Sequence, residues 1–314
     1  MFLGIEIGGT KLQLGLGHGD GHIRALWRGA VSAAEGGEGI RKQIVSAVPE
    51  LLATAKLSAG SLRGAGVGFG GPTDDASDTV VRSHHIEGWD GFPLAAWISD
   101  LVGVPAVLCN DADVAGLAEA LFGAGKGLSP VFYMTVGSGI GGGLVIDGQI
   151  YRGAGRGAAE VGHLRPAYPR KHAGEILEHW ASGWGIGGRV LEEERHGANA
   201  GAVRAAGGGT VTGQAVAAAA ARGDPFALRV LDEAAQALAE GVCSVIKLLC
   251  PRRVIIGGGV SLIGEELLFG PLRRYVDERG FAAFAGLTDI VPAALGEEVV
   301  VHGALALARQ KLGS

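Results

Sequence analysis

The sequence predicts an α/β protein of two lobes, and three observations carry that prediction. Each half of the chain opens on a strand meander folded around a glycine turn and continues into strand–helix units. A short apolar run, Val107-Leu-Cys-Asn110-Asp111-Ala-Asp113, ends in an amide and two carboxylates just where an Ala/Leu-rich helix begins. A second run, Val131-Phe-Tyr-Met-Thr135, empties into Val-Gly137-Ser138-Gly139-Ile-Gly141-Gly-Gly143. Glycine weakens a buried strand, so such a density after one implies close approach to bare backbone, and phosphate oxygens suit a nest of N–H groups. A carboxylate at the end of one strand and a phosphate cradle at the end of the next fit phosphoryl transfer.

Taken in order, Phe2–Ile7 reads as a strand, Gly8-Gly9-Thr10-Lys11 as a turn, and Leu12, Leu14 and Leu16 as the returning strand, with a third over Ile23–Trp27. Ile40, Ile44, Val48, Leu51 and Leu52 repeat at helical spacing. Gly64–Gly70 is a glycine-rich strand, Val80–Val81 a short one, and the helix from Asp113 to Leu121 stops at Gly123. The second half repeats the theme with strand Val131–Thr135 and a hairpin over Gly143–Tyr151, turned by Asp147-Gly148. A polar, glycine-broken segment leads to Ser182, and helical character runs with interruptions from Trp184 past Gly207–Gly209. Phe226–Leu249 is a long helix stopped by Pro251. Arg253–Ile256 is a strand opening into Gly257-Gly258-Gly259, a helix crosses Gly264–Glu278, and Val299–Lys311 is a closing helix. The lobes are expected to divide as residues 1–113 with a returning helix over 300–314, against 114–299.

Composition narrows the function. Net charge is −5 with no basic run, which disfavours nucleic acid as a partner. No apolar run is long enough for a membrane span, and Met1 enters a strand at once, so neither span nor signal peptide is expected and the cytoplasm is the expected compartment. Cys109, Cys243 and Cys250 are odd in number and lie in apolar stretches, which reads as buried reduced thiols. With 57 glycines in 314 residues the pattern G-x-G-x-x-G carries little by itself. Roughly two matches arise by chance, and three occur, from Gly66, Gly137 and Gly183. None sits as a dinucleotide fingerprint requires: the run from Gly66 continues into a turn, the one from Gly183 follows no strand, and the run from Gly137 continues into a hairpin instead of a helix, which argues against a nicotinamide oxidoreductase.

Six segments in order resemble the motif set of the ROK sugar kinases, members of the actin/hexokinase-like ATPases. They are Ile5-Glu6-Ile-Gly8-Gly9-Thr10-Lys11, Asn110-Asp111-Ala-Asp113, Thr135–Gly143, Glu160-Val-Gly-His163, Leu177-Glu178-His-Trp-Ala-Ser-Gly183 and Val254-Ile-Ile-Gly257-Gly258-Gly259. The resemblance covers almost the whole chain, and its specificity lies in order and spacing. It implies a two-lobed α/β fold with a cleft between the lobes and ATP phosphates cradled by Gly8, Gly9, Thr10 and Lys11 and by Gly137, Ser138 and Gly139. Gly257, Gly258 and Gly259 match the adenosine motif. Asp111 matches the base that accepts the sugar hydroxyl proton. Asn110, Glu160, His163 and Glu178 match residues that hydrogen-bond sugar hydroxyls. Helix N-capping favours the residue types of Asn110 and Asp111 too, so one can cap while the other does chemistry.

Three departures bear on the expectations. Many members carry a cysteine cluster that binds zinc with the histidine after the Gly-His pair. Here Leu164–Leu177 holds no cysteine and His172 is a poor substitute, so no structural zinc is expected. Where the family shows Pro-Asn before Gly-Trp, this chain has Ser83-His84-His85-Ile-Glu-Gly88-Trp89, which makes His85 a substrate-binding candidate and leaves the sugar open. Position 6, an Asp in the family, is Glu6, which touches the magnesium end of the site and is expected to act through water. The expectation is an ATP- and magnesium-dependent hexose kinase acting on C6, of glucokinase or N-acetylhexosamine type, working as a homodimer. The rival is a catalytically weak sugar sensor or pseudokinase of the same fold. A repressor is disfavoured, since Met1 opens the first strand and leaves no room for a helix-turn-helix.

Overall fold

A computed structural model describes residues 1–83, 86–167 and 175–313. The chain begins with the expected antiparallel meander, β1 (Phe2–Ile7), β2 (Lys11–Gly17) and β3 (Ile23–Ala30). Helix α1 (Gly36–Thr54) buries the stripe anticipated from its spacing, Ile40, Ile44, Val48, Leu51 and Leu52. Strand β4 (Gly64–Phe69) pairs parallel with β1, and a small hairpin, β5 (Thr73–Asp74) and β6 (Thr79–Val80), follows. Helix α2 (Leu94–Val102) was not expected, although Leu94, Ala95, Ile98 and Val102 form a buried stripe at helical spacing. Strand β7 (Ala106–Asn110) pairs parallel with β4 and runs directly into α3 (Asp111–Phe122), completing a sheet of order β3-β2-β1-β4-β7.

The second sheet has the order β10-β9-β8-β11-β12. Strands β8 (Val131–Val136), β9 (Ile140–Ile146) and β10 (Gln149–Ile150) form its meander, and Asp147 and Gly148 take φ of 50° and 73°, as a two-residue primed turn demands. Helices α4 (Leu177–Ala181), α5 (Gly183–Arg195), α6 (Gly201–Ala206), α7 (Gly213–Ala220) and α8 (Pro225–Leu249) follow. Asp224 caps α8 by accepting from Ala227 N at 2.8 Å, and the helix ends in left-handed Cys250 before Pro251. Strand β11 (Arg253–Gly257), a π turn over Glu265–Phe269, α9 (Gly270–Arg279) and the short parallel strand β12 (Asp289–Pro292) lead to the last helix, α10 (Val299–Leu312). Among the described residues no helix is long and apolar enough to cross a membrane.

Two compact units emerge. One comprises Met1–Gly127, Gly143–Ala158 and Ala294–Ser314; the other comprises Leu128–Gly142 and Ala159–Ala293. This division runs elsewhere than a break after Asp113: residues 114–127, 143–158 and 294–299 belong with the first unit. Packing explains it. Helix α10 crosses α3 so closely that a methyl group at Gly303 would overlap the carbonyl of Val114. The same helix lies on bare backbone in the sheet beneath. A Cβ at Gly4 would sit 2.9 Å from both Leu305 Cγ and the Val301 carbonyl, and one at Gly66 would overlap the carbonyl of Ala304. Much of the glycine in the first sheet therefore serves helix packing, not a ligand.

Candidate active site

In the first unit the candidate residues gather where β1, β4 and β7 end. Asn110 is the N-cap of α3 in extended conformation, and its Oδ1 accepts from Ala112 N at 2.9 Å and Asp113 N at 3.3 Å. Its Nδ2 donates to the Gly71 carbonyl at 3.1 Å, tying the helix start to the loop after β4. Asp111 therefore stands at the first helical position, where the helix dipole favours negative charge. Its Oδ1 accepts from Ala112 N at 2.8 Å, and its Oδ2 lies 3.4 Å from where a Cβ on Gly70 would be, a position 3.7 Å from Gly8 Cα. The division between cap and chemistry that the sequence left open thus has Asn110 as cap. The Gly8–Lys11 turn is closed by Gly8 N donating to the Lys11 carbonyl at 3.0 Å, with Gly9 and Thr10 exposed at its tip.

Glu6 is buried at 5 % exposure on β1, and its Oε1 pairs with Lys11 Nζ at 2.9 Å. The ammonium also donates to the Glu297 carbonyl at 2.9 Å. Burial pushes the Glu6 carboxyl up to about 7; Lys11 opposes the rise, and the charges of Asp111 and Glu297 add to it. Glu6 Oε2 is buried and has no hydrogen-bond partner among the described residues. A hard, buried carboxylate with one unclaimed oxygen near a second carboxylate is chemically suited to a divalent cation or its water shell.

In the second unit everything gathers around the turn between β8 and β9. Gly137 N donates to Gly139 O at 2.9 Å, and the Gly137 carbonyl accepts from Gly183 N, at the start of α5, at 2.7 Å. Glu178 Oε2 accepts from Ile140 N at 2.7 Å and would lie 2.5 Å from a Cβ on Gly139. The short 3-10 turn Val161–His163 packs onto the same point, since a Cβ on Gly162 would overlap the Ile140 carbonyl. Glu160 and His163 flank it, both exposed. Behind the turn, Gly258 at φ +84° would place a Cβ 2.6 Å from the Val136 carbonyl. Gly137 and Gly259 face open space, and Ser138 is exposed at the tip.

The structure thus brings Glu6, Gly8, Gly9, Thr10, Lys11, Asn110 and Asp111 together in one unit, and Gly137, Ser138, Gly139, Glu160, His163, Glu178, Gly257, Gly258 and Gly259 in the other. His85, with His84 and His172, lies outside the described residues. Sequence reasoning missed Ser182, fully buried, whose Oγ caps α5 by accepting from Gly185 N at 2.9 Å. Serine before a helical run is the usual capping signal and was available to be read. It also missed Gly162 and Gly183, which only the folded packing around the β8–β9 turn reveals.

The family model of the ROK family matches residues 2–311. The glucokinase of Thermotoga maritima is 32% identical over 99% of this chain and 98% of its own length. That of Halalkalibacterium halodurans is 31% identical over 100% and 96%. Among solved structures, the ROK family glucokinase of Streptomyces griseus in complex with glucose and AMPPNP superposes with a TM-score of 0.80 at 31% identity, covering 98% of this chain and 99% of that one. The chain belongs to the ROK family.

Proposed function

We propose that this chain is an ATP-dependent hexose kinase that transfers the γ-phosphoryl group of ATP to the C6 hydroxyl of a hexose, with glucose first among the sugars. The observation that carries the chemistry is the start of α3, where Asn110 takes the cap and leaves Asp111 poised at the Gly70 turn. Asp111 takes the proton of the attacking hydroxyl. The Gly8–Lys11 and Gly137–Gly139 turns offer backbone N–H groups to the phosphates, and Gly257–Gly259 lets the adenosine lie against the chain. Asn110, Glu160, His163 and Glu178 hold sugar hydroxyls, as does His85. Magnesium, when bound with ATP, neutralises charge on the phosphates. Glu6 is the residue whose unclaimed oxygen fits a role at that end of the site. Full-length similarity to glucokinases, one of them solved with glucose and an ATP analogue, supports this reading.

The proposal extends to a homodimer in the cytoplasm, which sedimentation velocity checks for assembly. The activity is tested by coupled ADP release across hexoses and N-acetylhexosamines. Magnesium-dependent release with glucose, and a hexose 6-phosphate product, are expected. Tight sugar binding with no sugar-dependent ADP release would favour the sensor reading instead.

A further inference from the structure

The loop after β10 is fastened to the first unit by two arginines. Arg156 Nε donates to Asp74 Oδ2 at 2.9 Å from the surface. Arg152 reaches deeper. Its Nε donates to Asp75 Oδ1 at 3.0 Å and Oδ2 at 3.1 Å. Its Nη2 donates to Asp75 Oδ1 at 2.7 Å, to Thr73 Oγ1 at 3.0 Å and to the Thr73 carbonyl at 3.2 Å. Its Nη1 pairs with Asp113 Oδ2. Thr73 and Asp113 are 1% and 2% exposed, so the guanidinium works at the bottom of a closed site.

These contacts close a ring around the proposed base. The first turn of α3 is anchored at Asn110, through the Gly71 carbonyl, and at Asp113, through Arg152. The segment facing it is anchored at the same two places, Gly71 by Asn110 and Thr73 by Arg152. Asp111 lies between the two anchored residues of its helix, and its Oδ2 faces Gly70, the residue just before the anchored segment. Removing Arg152 opens the ring at Asp113 and Thr73 while the Asn110–Gly71 contact remains.

We propose that Arg152 is a positioning residue for Asp111: its guanidinium locks the first turn of α3 to the 71–75 segment and so fixes where the base's carboxylate stands. The inference rests on the reading of Asp111 as base. The fork geometry supports it over simple charge balance. One guanidinium uses all three nitrogens on two carboxylates, a hydroxyl and a carbonyl, a task that an ammonium point charge cannot copy. Buried ion pairs are weak evidence for stability and are better attested as devices that fix one geometry.

The test introduces Arg152→Lys and Thr73→Val, each into the wild type and into Asp111→Asn, with kcat and both KM values measured per folded molecule. In the wild-type background Arg152→Lys is expected to lower kcat about ten- to hundredfold, the loss that misplacement near 1 Å brings, with either KM moving less than about threefold. Thr73→Val keeps the branched shape, removes the hydroxyl that accepts from Arg152 Nη2, and is expected to lower kcat about two- to fivefold. It carries the test should the lysine variant not fold. In the Asp111→Asn background both substitutions are expected to change the residual turnover less than about twofold, because a residue acting through the base has nothing left to position. Equal fold losses in both backgrounds, or losses confined to KM or to the folded fraction, would overturn the proposal while leaving Asp111 as base. Near-normal turnover of Asp111→Asn alone would instead overturn the base assignment, and the positioning role with it.

Discussion

The two regions that hold the candidate site are built from opposite materials. In the first unit the groups that matter are charged side chains: Glu6, Lys11, Asp111, and the Arg152 cluster behind them, several of them buried. In the second unit they are mostly bare backbone, with Gly139, Gly162, Gly183 and Gly258 packed around one turn and Glu178 reaching in with one oxygen on Ile140 N. The contrast matches the two jobs of a phosphoryl transfer enzyme. Moving a proton needs a placed carboxylate, whereas holding phosphates and a nucleoside needs N–H groups and room. At the site itself, the first region is vulnerable to a change of charge and the turn of the second to the addition of a single carbon.

The sharpest way to break the comparison is Asp111→Asn. It preserves shape and is expected to lower turnover by about a hundred- to ten-thousandfold in steady-state assays, with far less change in sugar KM. Near-normal turnover would end the claim that the first region does its chemistry through this carboxylate.

Next in size is Glu6. Its carboxyl stands at about 7 in the folded protein against an ordinary 4.5, because burial favours the neutral form. The folded state therefore holds the proton more tightly than the unfolded one. The stability tied to this group is complete below about 4.5 and is lost as pH rises through about 7. Glu6→Gln, neutral throughout, is expected to be more stable than wild type by about 3 kcal/mol at pH 8, with the difference gone near pH 4.5, in urea midpoints across that range. If it serves the magnesium end of the site, the same variant loses turnover most at low magnesium. A difference independent of pH would mean that the buried charge is not what Glu6 contributes.

For the second region, Gly258→Ala sharpens the claim about backbone. The residue has φ +84°, and its new methyl would meet Val136 backbone atoms at 2.6–2.9 Å. A loss of about 1–3 kcal/mol in thermal or urea unfolding is expected, with ATP KM rising more than kcat falls. Full tolerance would show that this turn does not depend on absent side chains. The smallest effect concerns zinc. Dialysis against a chelator is expected to leave Tm unchanged, and elemental analysis of untagged protein to give far less than one zinc per chain, since Leu164–Leu177 supplies no cysteine. Stoichiometric zinc whose removal lowers Tm would contradict that.

Legibility followed locality. The Asp147-Gly148 hairpin, the α1 stripe and the Asp224-Pro225 opening of α8 are short-range patterns with short-range causes, and each was readable or nearly so. Family motifs of the sequence lie at or near the ends of β1, β7, β8 and β11. What stayed hidden was set by tertiary packing. Helix α2 is only nine residues long, and β12 is a four-residue edge strand ending in Pro292. Arg152 sits in a glycine-broken loop where nothing in sequence marks it as the partner of Asp113, thirty-nine residues away. The glycines of β4 read only as a glycine-rich strand, and what they make room for is the chain's own last helix.

That last helix sets the order in which the molecule can be finished. The first sheet is made from residues 2–110, yet the surface that covers its glycine face comes from residues 299–312, delivered only after the whole second unit has left the ribosome. At about 5–20 residues per second, the sheet waits on the order of ten seconds or more with that face unpaired. Phe2, which packs with Val301, Leu305 and Ala308, waits without those partners for the same interval. During synthesis the second unit has all its parts first, and the early-made half, which bears the proposed base, is the last to become whole.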